Sequence, residues 1–112
     1  MIFHVLRAAS GHVTASLFDR FRSRALFPLG DPHAPEVYEV TLAPGCFQRA
    51  RPHDRNTFEH LTVVRGALVV QTDDRQARLG PGDTLFFRAD LPHSYRNATS
   101  RETVLHLVVT HA

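Results

Sequence analysis

The amino-acid sequence predicts an all-β domain built from short antiparallel strands. Runs rich in β-branched and aromatic residues recur along the chain, and Gly- and Pro-containing turns separate them. The periodicity of an amphipathic helix is weak throughout. Short strands punctuated in this way are typical of an antiparallel sandwich or barrel. A length of 112 residues suits one domain with one hydrophobic core.

Four runs carry the strand prediction: "EVYEVTLAPG" (36–45), "FEHLTVVRGALVVQT" (58–72), "ARLGPGDTLFFR" (77–88) and "TVLHLVVTH" (103–111). The first run alternates and then stops at Pro44-Gly45. The second consists of two β-branched halves joined at Arg65-Gly66. The third contains the turn Gly80-Pro81-Gly82-Asp83, in which we expect Asp83 to cap the corner. Each of the second and third runs is therefore predicted to supply two strands.

The first 35 residues are less regular. The candidate helical turn is "ASLFDRFRSRALF" (15–27), in which the spacing of the apolar residues is only partly helical. The three prolines of "PLGDPHAPE" (28–36) predict an ordered surface loop. We expect a single domain over residues 1–112, in which residues 1–35 form an extension with an edge strand and a loop, and residues 36–109 form the barrel. The apolar start "MIFHVL" could cover a sheet edge of a partner chain, which predicts a homodimer.

Composition excludes several classes of function. All 13 basic residues are arginine, so a lysine imine is excluded. The net charge is only +2 and the arginines are scattered, so we expect no direct nucleic-acid binding. A single cysteine, Cys46, excludes an internal disulfide and a thiolate metal cluster, and its turn context indicates a structural role. No apolar run is long enough to cross a bilayer and no signal peptide is recognisable, so we expect a cytoplasmic protein without membrane contact.

The stretch "PHDRNTFEHLTVVRG" (52–66) contains candidate metal ligands. If it is extended, His53, Arg55 and Glu59 share a face with the apolar residues of the following strand, and His60 points the other way. His93 comes from a separate strand that must fold back over the first. Two imidazoles and one carboxylate can hold a metal ion. The alternative is a hydrogen-bonded polar pocket in which Glu59 pairs with Arg55.

Over residues 36–109 the spacing of particular residues resembles that of a small single-domain cupin. The first cupin motif is matched by Gly45, His53, Arg55, Glu59 and Gly66, and the second by Gly82-Asp83, Pro92-His93 and Asn97. The segment "EHLTVVRGAL", followed by "LGPGDTLFFRADLPHSYRN", is similar in sequence to the C-terminal sensory cupin domain of helix-turn-helix regulators of the xenobiotic-response-element type. This resemblance implies a double-stranded β-helix, the antiparallel jelly-roll barrel, in which Gly66, Gly82 and Asn97 serve turns.

The resemblance also implies a metal site with one ligand replaced. In the family, two histidines and the glutamate of the first motif and the histidine of the second bind a divalent ion. Arg55 stands here in place of the second histidine, and a guanidinium has no lone pair to donate. At most three ligands, His53, Glu59 and His93, are therefore implied for one divalent ion such as iron, manganese, nickel or zinc.

Arg55 suggests a different use of the same barrel mouth. A guanidinium is well shaped to hold a carboxylate or phosphate with two hydrogen bonds. We therefore expect a small polar or anionic metabolite, anchored by Arg55 and bordered by His53, His93 and Tyr95. Tyr95 shares strand parity with His93 and should face the same way.

The remaining histidines are weaker candidates. We expect His4, His12, His33 and His111 to be exposed and His60 to lie on the outer face of its strand. The orientation of His106 depends on a strand register that the sequence leaves open.

Two functions remain open. The first is a non-catalytic sensory or regulatory module related to transcriptional regulators and lacking its own DNA-binding domain, because residues 1–35 are too short and too poorly helical for a helix-turn-helix. The second is a small metal-dependent enzyme of the dioxygenase or isomerase type. Fold resemblance alone does not decide between them.

Overall fold

The computed structural model describes residues 5–11, 13–15, 20–26 and 34–111, and its regular elements are all β-strands. The described residues form ten strands: β1 Val13–Ala15, β2 Phe21–Ala25, β3 Glu36–Leu42, β4 Phe47–Ala50, β5 Thr57–Arg65, β6 Leu68–Thr72, β7 Gln76–Leu79, β8 Thr84–Arg88, β9 His93–Arg96 and β10 Thr103–His111. They form a six-stranded sheet of order β1-β2-β3-β10-β5-β8 and a four-stranded sheet of order β4-β9-β6-β7. Every pairing is antiparallel. The predicted all-β jelly roll is confirmed.

The core lies between the two sheets. The six-stranded sheet contributes buried residues of β3, β5 and β10, and the four-stranded sheet contributes those of β6 and β9: Val40, Leu42, Leu61, Val63, Leu105, Leu68, Val70 and Tyr95. Along β5 the buried side chains alternate with more exposed ones, as expected of a strand with one face on the core. Glu59 falls on the buried face of this alternation and so faces the interior.

The predicted strands from Glu36 onward are confirmed, including the breaks between strands at Pro44-Gly45 and Arg65-Gly66. The N–H of Gly80 donates to Asp83 Oδ2 (2.8 Å), which confirms the predicted cap. The helical turn proposed for residues 15–27 is wrong over residues 21–25, because β2 pairs with β3 there. Residues 16–19 and 27 lie outside the described part, as do residues 1–4, 12, 28–33 and 112. Among the described residues, no helix is long and apolar enough to cross a membrane.

Asn97 joins three chain segments at one end of the barrel. Its buried Nδ2 group donates to the carbonyl oxygens of Leu42 (3.1 Å), Ala43 (3.1 Å) and Arg101 (2.7 Å). Its Oδ1 accepts from the N–H (3.0 Å) and hydroxyl (2.7 Å) of Thr99. The amide therefore fixes the turn before β10 against the end of β3, which is the turn role predicted for it.

Gly66 adopts a backbone angle φ of +86° and lies tightly against Thr103. A Cβ atom at this position would come within 2.6 Å of Thr103 Oγ1 and 2.8 Å of the Glu102 carbonyl oxygen. The same hydroxyl donates to the Ala67 carbonyl (2.6 Å) and accepts from the Ala67 N–H (3.1 Å). The close approach of the β5–β6 turn to β10 therefore requires a residue without a side chain.

A Gly66→Ala substitution should lower the free energy of unfolding by about 2 kcal/mol more than Gly82→Ala. Both glycines have φ +86°, so both variants carry the same left-handed strain, but a Cβ at Gly82 meets nothing within 4 Å. Urea denaturation of both variants measures the difference. Equal losses in the two variants would show that the contact with Thr103 relaxes freely.

Candidate functional site

Three side chains of the predicted metal site meet inside the barrel. Glu59 lies on β5 of the six-stranded sheet, and His93 begins β9 of the four-stranded sheet. His53 precedes β5, and its backbone N–H donates to the Ala89 carbonyl (2.8 Å), which holds this loop against the segment after β8. The site is thus assembled from both sheets and one loop.

Glu59 Oε2 lies at the centre of this group. His53 Nε2 is 3.1 Å from it and His93 Nε2 is 3.3 Å from it. One possible ligand atom from each of the three residues lies within 4.8 Å of the others. The His-Glu-His group can therefore hold a metal ion, with two imidazoles and one carboxylate as ligands.

His93 is oriented as a metal-binding histidine would be. Its Nδ1 lies 2.8 Å from the Leu91 carbonyl oxygen, which can only accept, so Nδ1 carries the proton and donates. Nε2 then faces the interior. It is buried, and its 3.3 Å contact with Glu59 lacks hydrogen-bond geometry, so it has no hydrogen-bond partner among the described residues. An orphaned buried nitrogen whose ring is fixed by a carbonyl fits a metal ligand.

Tyr95 completes the polar cluster, with its hydroxyl donating to Glu59 Oε1. It faces the interior together with His93, as predicted from strand parity. Burial first, and then the neighbouring Glu59 carboxylate, hold the pKa of Tyr95 well above its ordinary value. Tyr95 therefore acts as a hydrogen-bond donor near neutral pH.

Glu59 remains ionised although only 1% of the residue is exposed. Burial alone would raise the pKa of Glu59, but the polar contacts with His53, His93 and Tyr95 outweigh it and lower the pKa to about 2. The hydrogen bond to Glu59 in turn raises the pKa of His53, against the opposing effect of burial.

The predicted place of Arg55 at the barrel mouth is wrong in the structure. Arg55 lies in an exposed turn between His53 and β5, and it is not among the residues that line the cavity. Asn56 has φ 63° at this turn, so the side-chain alternation assumed between His53 and Glu59 is interrupted. The expected pairing of Glu59 with Arg55 is replaced by the contacts of Glu59 with His53, His93 and Tyr95.

The other imidazoles fall outside the cluster. His60 is on the outer face of β5, with its ring 4.4 Å from that of the exposed Phe86, as predicted. His106 is exposed on β10, and His111 is exposed as expected. His4, His12 and His33 lie outside the described residues. Cys46 is buried, in keeping with the structural role predicted for it.

A cavity of about 320 Å³ opens beside the polar cluster. Its lining consists of Thr14, Phe21, Ser23, Glu36, Tyr38, Val40, Gln48, Ala50, His53, Glu59, Tyr95, Leu107 and Val109. His53, with 40% of its side chain exposed, lies at the mouth, whereas Glu59 lies deep. The cavity thus combines an apolar wall with a polar end.

Sequence reasoning missed a hydrogen-bonded group that contains Glu36 and Tyr38 of the cavity lining. Glu36 Oε1 accepts a hydrogen bond from the Tyr38 hydroxyl (2.6 Å), and Glu36 Oε2 accepts one from His111 Nε2 (3.0 Å). The hydrogen bond from Tyr38 is the largest influence on the pKa of Glu36, which is lowered. The alternation of "EVYEV" already indicated that Glu36 and Tyr38 share a face with buried Val40.

This geometry agrees with a comparison to known proteins, in which residues 38–110 match the Cupin domain family. The chain belongs to the cupin family. The match extends from β3 to β10 and so includes strands of both sheets and all three candidate ligands.

Relatives of this cupin domain include transcriptional regulators. The chain is 28% identical over 85 residues to the HTH-type transcriptional regulator SutR of Escherichia coli, covering 76% of this chain and 48% of SutR. It is 29% identical to the cupin domain of an XRE family transcriptional regulator from Enterobacter cloacae, with a TM-score of 0.78 and coverage of 83% and 98%. The chain therefore spans about half the length of the curated relative, and it is similar to the regulators' cupin domains.

A cupin-superfamily sugar phosphate isomerase from Silicibacter pomeroyi is also similar. It is 25% identical, with a TM-score of 0.77, and the match covers 97% of this chain and 76% of the isomerase. Both regulators and an enzyme are thus found among proteins of this fold.

The low pKa of Glu59 predicts how metal-free protein responds to acid. Its folded-state pKa of about 2 lies below the ordinary 4.5, so the unfolded chain binds the proton more readily. The associated stabilisation, roughly 3 kcal/mol at 1.36 kcal/mol per pKa unit, is fully present above pH 4.5 and is lost as pH falls toward 2. Urea denaturation across this range should show a shallower pH slope in Glu59→Gln.

Glu102→Gln is the control for this measurement. It removes an exposed carboxylate, paired with Arg65 at 3.2 Å on the surface, and should keep the wild-type slope. A Glu59→Gln slope equal to that of the wild type would contradict the assignment of an ionised Glu59 in the folded state.

Proposed function

We propose that this cupin domain is a sensory module that binds a small polar metabolite, in the manner of a transcriptional regulator's effector domain. The observation that carries the proposal is a preformed cavity, apolar along its wall and polar at one end, in a chain similar to the cupin domain of an XRE family regulator. A volume of about 320 Å³ is at the small end of ligand sites in proteins and suits a small metabolite.

Two buried groups of the site, Glu59 and Tyr95, are better suited to binding than to acid–base catalysis. A general base works best when its pKa is near the working pH. The pKa of Glu59 is about 2 and that of Tyr95 is well above 10, so neither group exchanges protons readily near neutrality. Both are suited to holding a fixed hydrogen-bond pattern.

We also propose that His53, Glu59 and His93 hold one divalent ion, such as iron, manganese, nickel or zinc. The unpartnered, buried Nε2 of His93 supports this, as does the two-histidine, one-carboxylate ligand set. When bound, such an ion would supply a Lewis acid at the polar end of the cavity. The residues of this chain hold it in place: the Leu91 carbonyl fixes the His93 ring, and the Tyr95 hydroxyl fixes the Glu59 carboxylate.

The alternative function is a small metal-dependent enzyme of the dioxygenase or isomerase type. The ligand set itself favours it, because two imidazoles and one carboxylate leave coordination positions open. The similarity to the sugar phosphate isomerase favours it as well. The homodimer and the cytoplasmic location expected from the sequence stay predictions.

Metal content should depend on His93. Inductively coupled plasma mass spectrometry of untagged protein should find a near-stoichiometric divalent metal in the wild type, and trace amounts in His93→Ala. His60→Ala is the matched control, because it removes an imidazole from the outer face of β5 and should retain the metal. Trace metal in the wild-type protein would contradict the proposed ion.

Binding without turnover should distinguish sensor from enzyme. Pooled polar metabolites incubated with metal-loaded protein should yield bound compounds that mass spectrometry recovers chemically unchanged. Leu107→Phe fills the cavity and should abolish their capture, whereas Val108→Phe alters the next residue of β10, on the opposite face, and should not. Accumulation of a product with an altered mass or structure would favour the enzyme instead.

A further inference from the structure

The charges on the cavity wall are predominantly negative. The ionisable carboxylates and imidazole that line it are Glu36, Glu59 and His53, and no arginine is found among the lining residues described. Glu59 and His53 belong to the proposed metal site, where a divalent ion would offset the charge of Glu59. Glu36 is the carboxylate of the described lining that lies outside this site, and its negative charge attracts a cationic group.

Glu59 is not the carboxylate that a ligand would meet. It is 1% exposed, and its two oxygens already contact Tyr95 and His53. Any ion held by Glu59 would occupy it further. Its role is therefore internal to the polar cluster.

Glu36, in contrast, is accessible and pre-oriented. Its side chain is 41% exposed. The Tyr38 hydroxyl donates to one oxygen (2.6 Å) and His111 Nε2 to the other (3.0 Å), which fixes the plane of the carboxylate. A carboxylate offers about four lone-pair sites, so each oxygen can accept a further hydrogen bond. These two donors hold an acceptor in place at the cavity wall.

The wall beside Glu36 is apolar. Val40, Leu107 and Val109 contribute aliphatic surface, and Phe21 and Tyr38 contribute aromatic rings. Aliphatic surface suits a short hydrocarbon chain, and aromatic rings attract cations in addition. The cavity thus offers an acceptor for a positive head group and an apolar surface for a short body.

We propose that the ligand of this cavity is a small metabolite bearing an ammonium group, with the Glu36 carboxylate as its anchor. The proposal rests on the sensory function proposed above and specifies the chemical class of the ligand. It replaces the anionic ligand expected from Arg55, since Arg55 lies in an exposed turn outside the cavity.

The test uses three probes of equal chain length: butylammonium, butyrate and butanol. Amide chemical shifts of ¹⁵N-labelled protein are followed during titration at about pH 8, where an alkylammonium is charged and an ordinary imidazole is neutral. Metal is first removed with a chelator, and the chelator is dialysed away, so that coordination of an amine to a metal cannot account for binding. Butylammonium should give saturable shifts at cavity residues and bind more tightly than butyrate and butanol.

Two variants locate the anchor. Glu36→Gln keeps the shape of the side chain but removes its charge, and it should weaken butylammonium binding about tenfold or more. Glu39→Gln removes a carboxylate from the opposite face of β3 and should leave the dissociation constant unchanged. The unliganded spectrum of each variant reports whether the fold is kept.

Each outcome is decisive. Butyrate or butanol binding as tightly as butylammonium, in unmodified protein, would overturn the ammonium class while preserving the cavity as a binding site. Equal weakening in Glu36→Gln and Glu39→Gln, or none in either, would overturn Glu36 as the anchor. Absence of cavity shifts with butylammonium would overturn the proposal. The metabolite capture described above tests the sensory function separately, because it does not depend on the charge of the compound captured.

Discussion

The rest of this structure depends on one buried carboxylate. An ionised glutamate in a protein interior is strongly unfavourable unless hydrogen bonds and opposite partial charges compensate for the loss of water. Glu59, on the six-stranded sheet, finds this compensation in Tyr95 on the four-stranded sheet and in His53 on the preceding loop. The same contacts that keep Glu59 charged therefore link the two sheets and the loop. The arrangement that supplies hydrogen bonds to the buried Glu59 carboxylate is also the arrangement that forms the candidate site.

A second carboxylate lines the cavity outside the polar cluster. Glu36 lies on β3, is accessible, and is oriented by Tyr38 and His111 without being enclosed. One end of the cavity thus holds the polar cluster, which can bind a metal ion. Elsewhere on the wall, the Glu36 carboxylate can accept further hydrogen bonds. Apolar surface from β3 and β10 borders it. This arrangement is suited to recognising a small molecule with one polar head group, and the acid–base properties of Glu59 and Tyr95 agree with recognition rather than proton transfer.

Arg55 shows where sequence spacing misleads. In the cupin motif it occupies the place of a ligand, and simple alternation put it on the interior face beside His53 and Glu59. The chain between them is not a continuous strand: β5 begins at Thr57, and Asn56 turns the backbone with φ 63°. The alternation of side chains between two faces holds within a strand and not through a turn, so it does not predict which way Arg55 points. His53 still reaches Glu59 because its own N–H is held by the Ala89 carbonyl, a contact between segments 36 residues apart in sequence.

The sequence by itself determined the strands from Glu36 onward except Phe47–Ala50, together with the turns between them and the grouping of His53, Glu59 and His93. These features follow from local alternation, from turn residues and from motif spacing, each of which is encoded within a few neighbouring residues. Only the tertiary structure decided that Phe21–Ala25 extends the larger sheet, because pairing with β3 overrides a weak helical pattern. It alone also decided the surroundings of Glu36, whose partner His111 is 75 residues away. Contacts of this kind depend on strand order and register across a whole sheet, and no short window of sequence contains them.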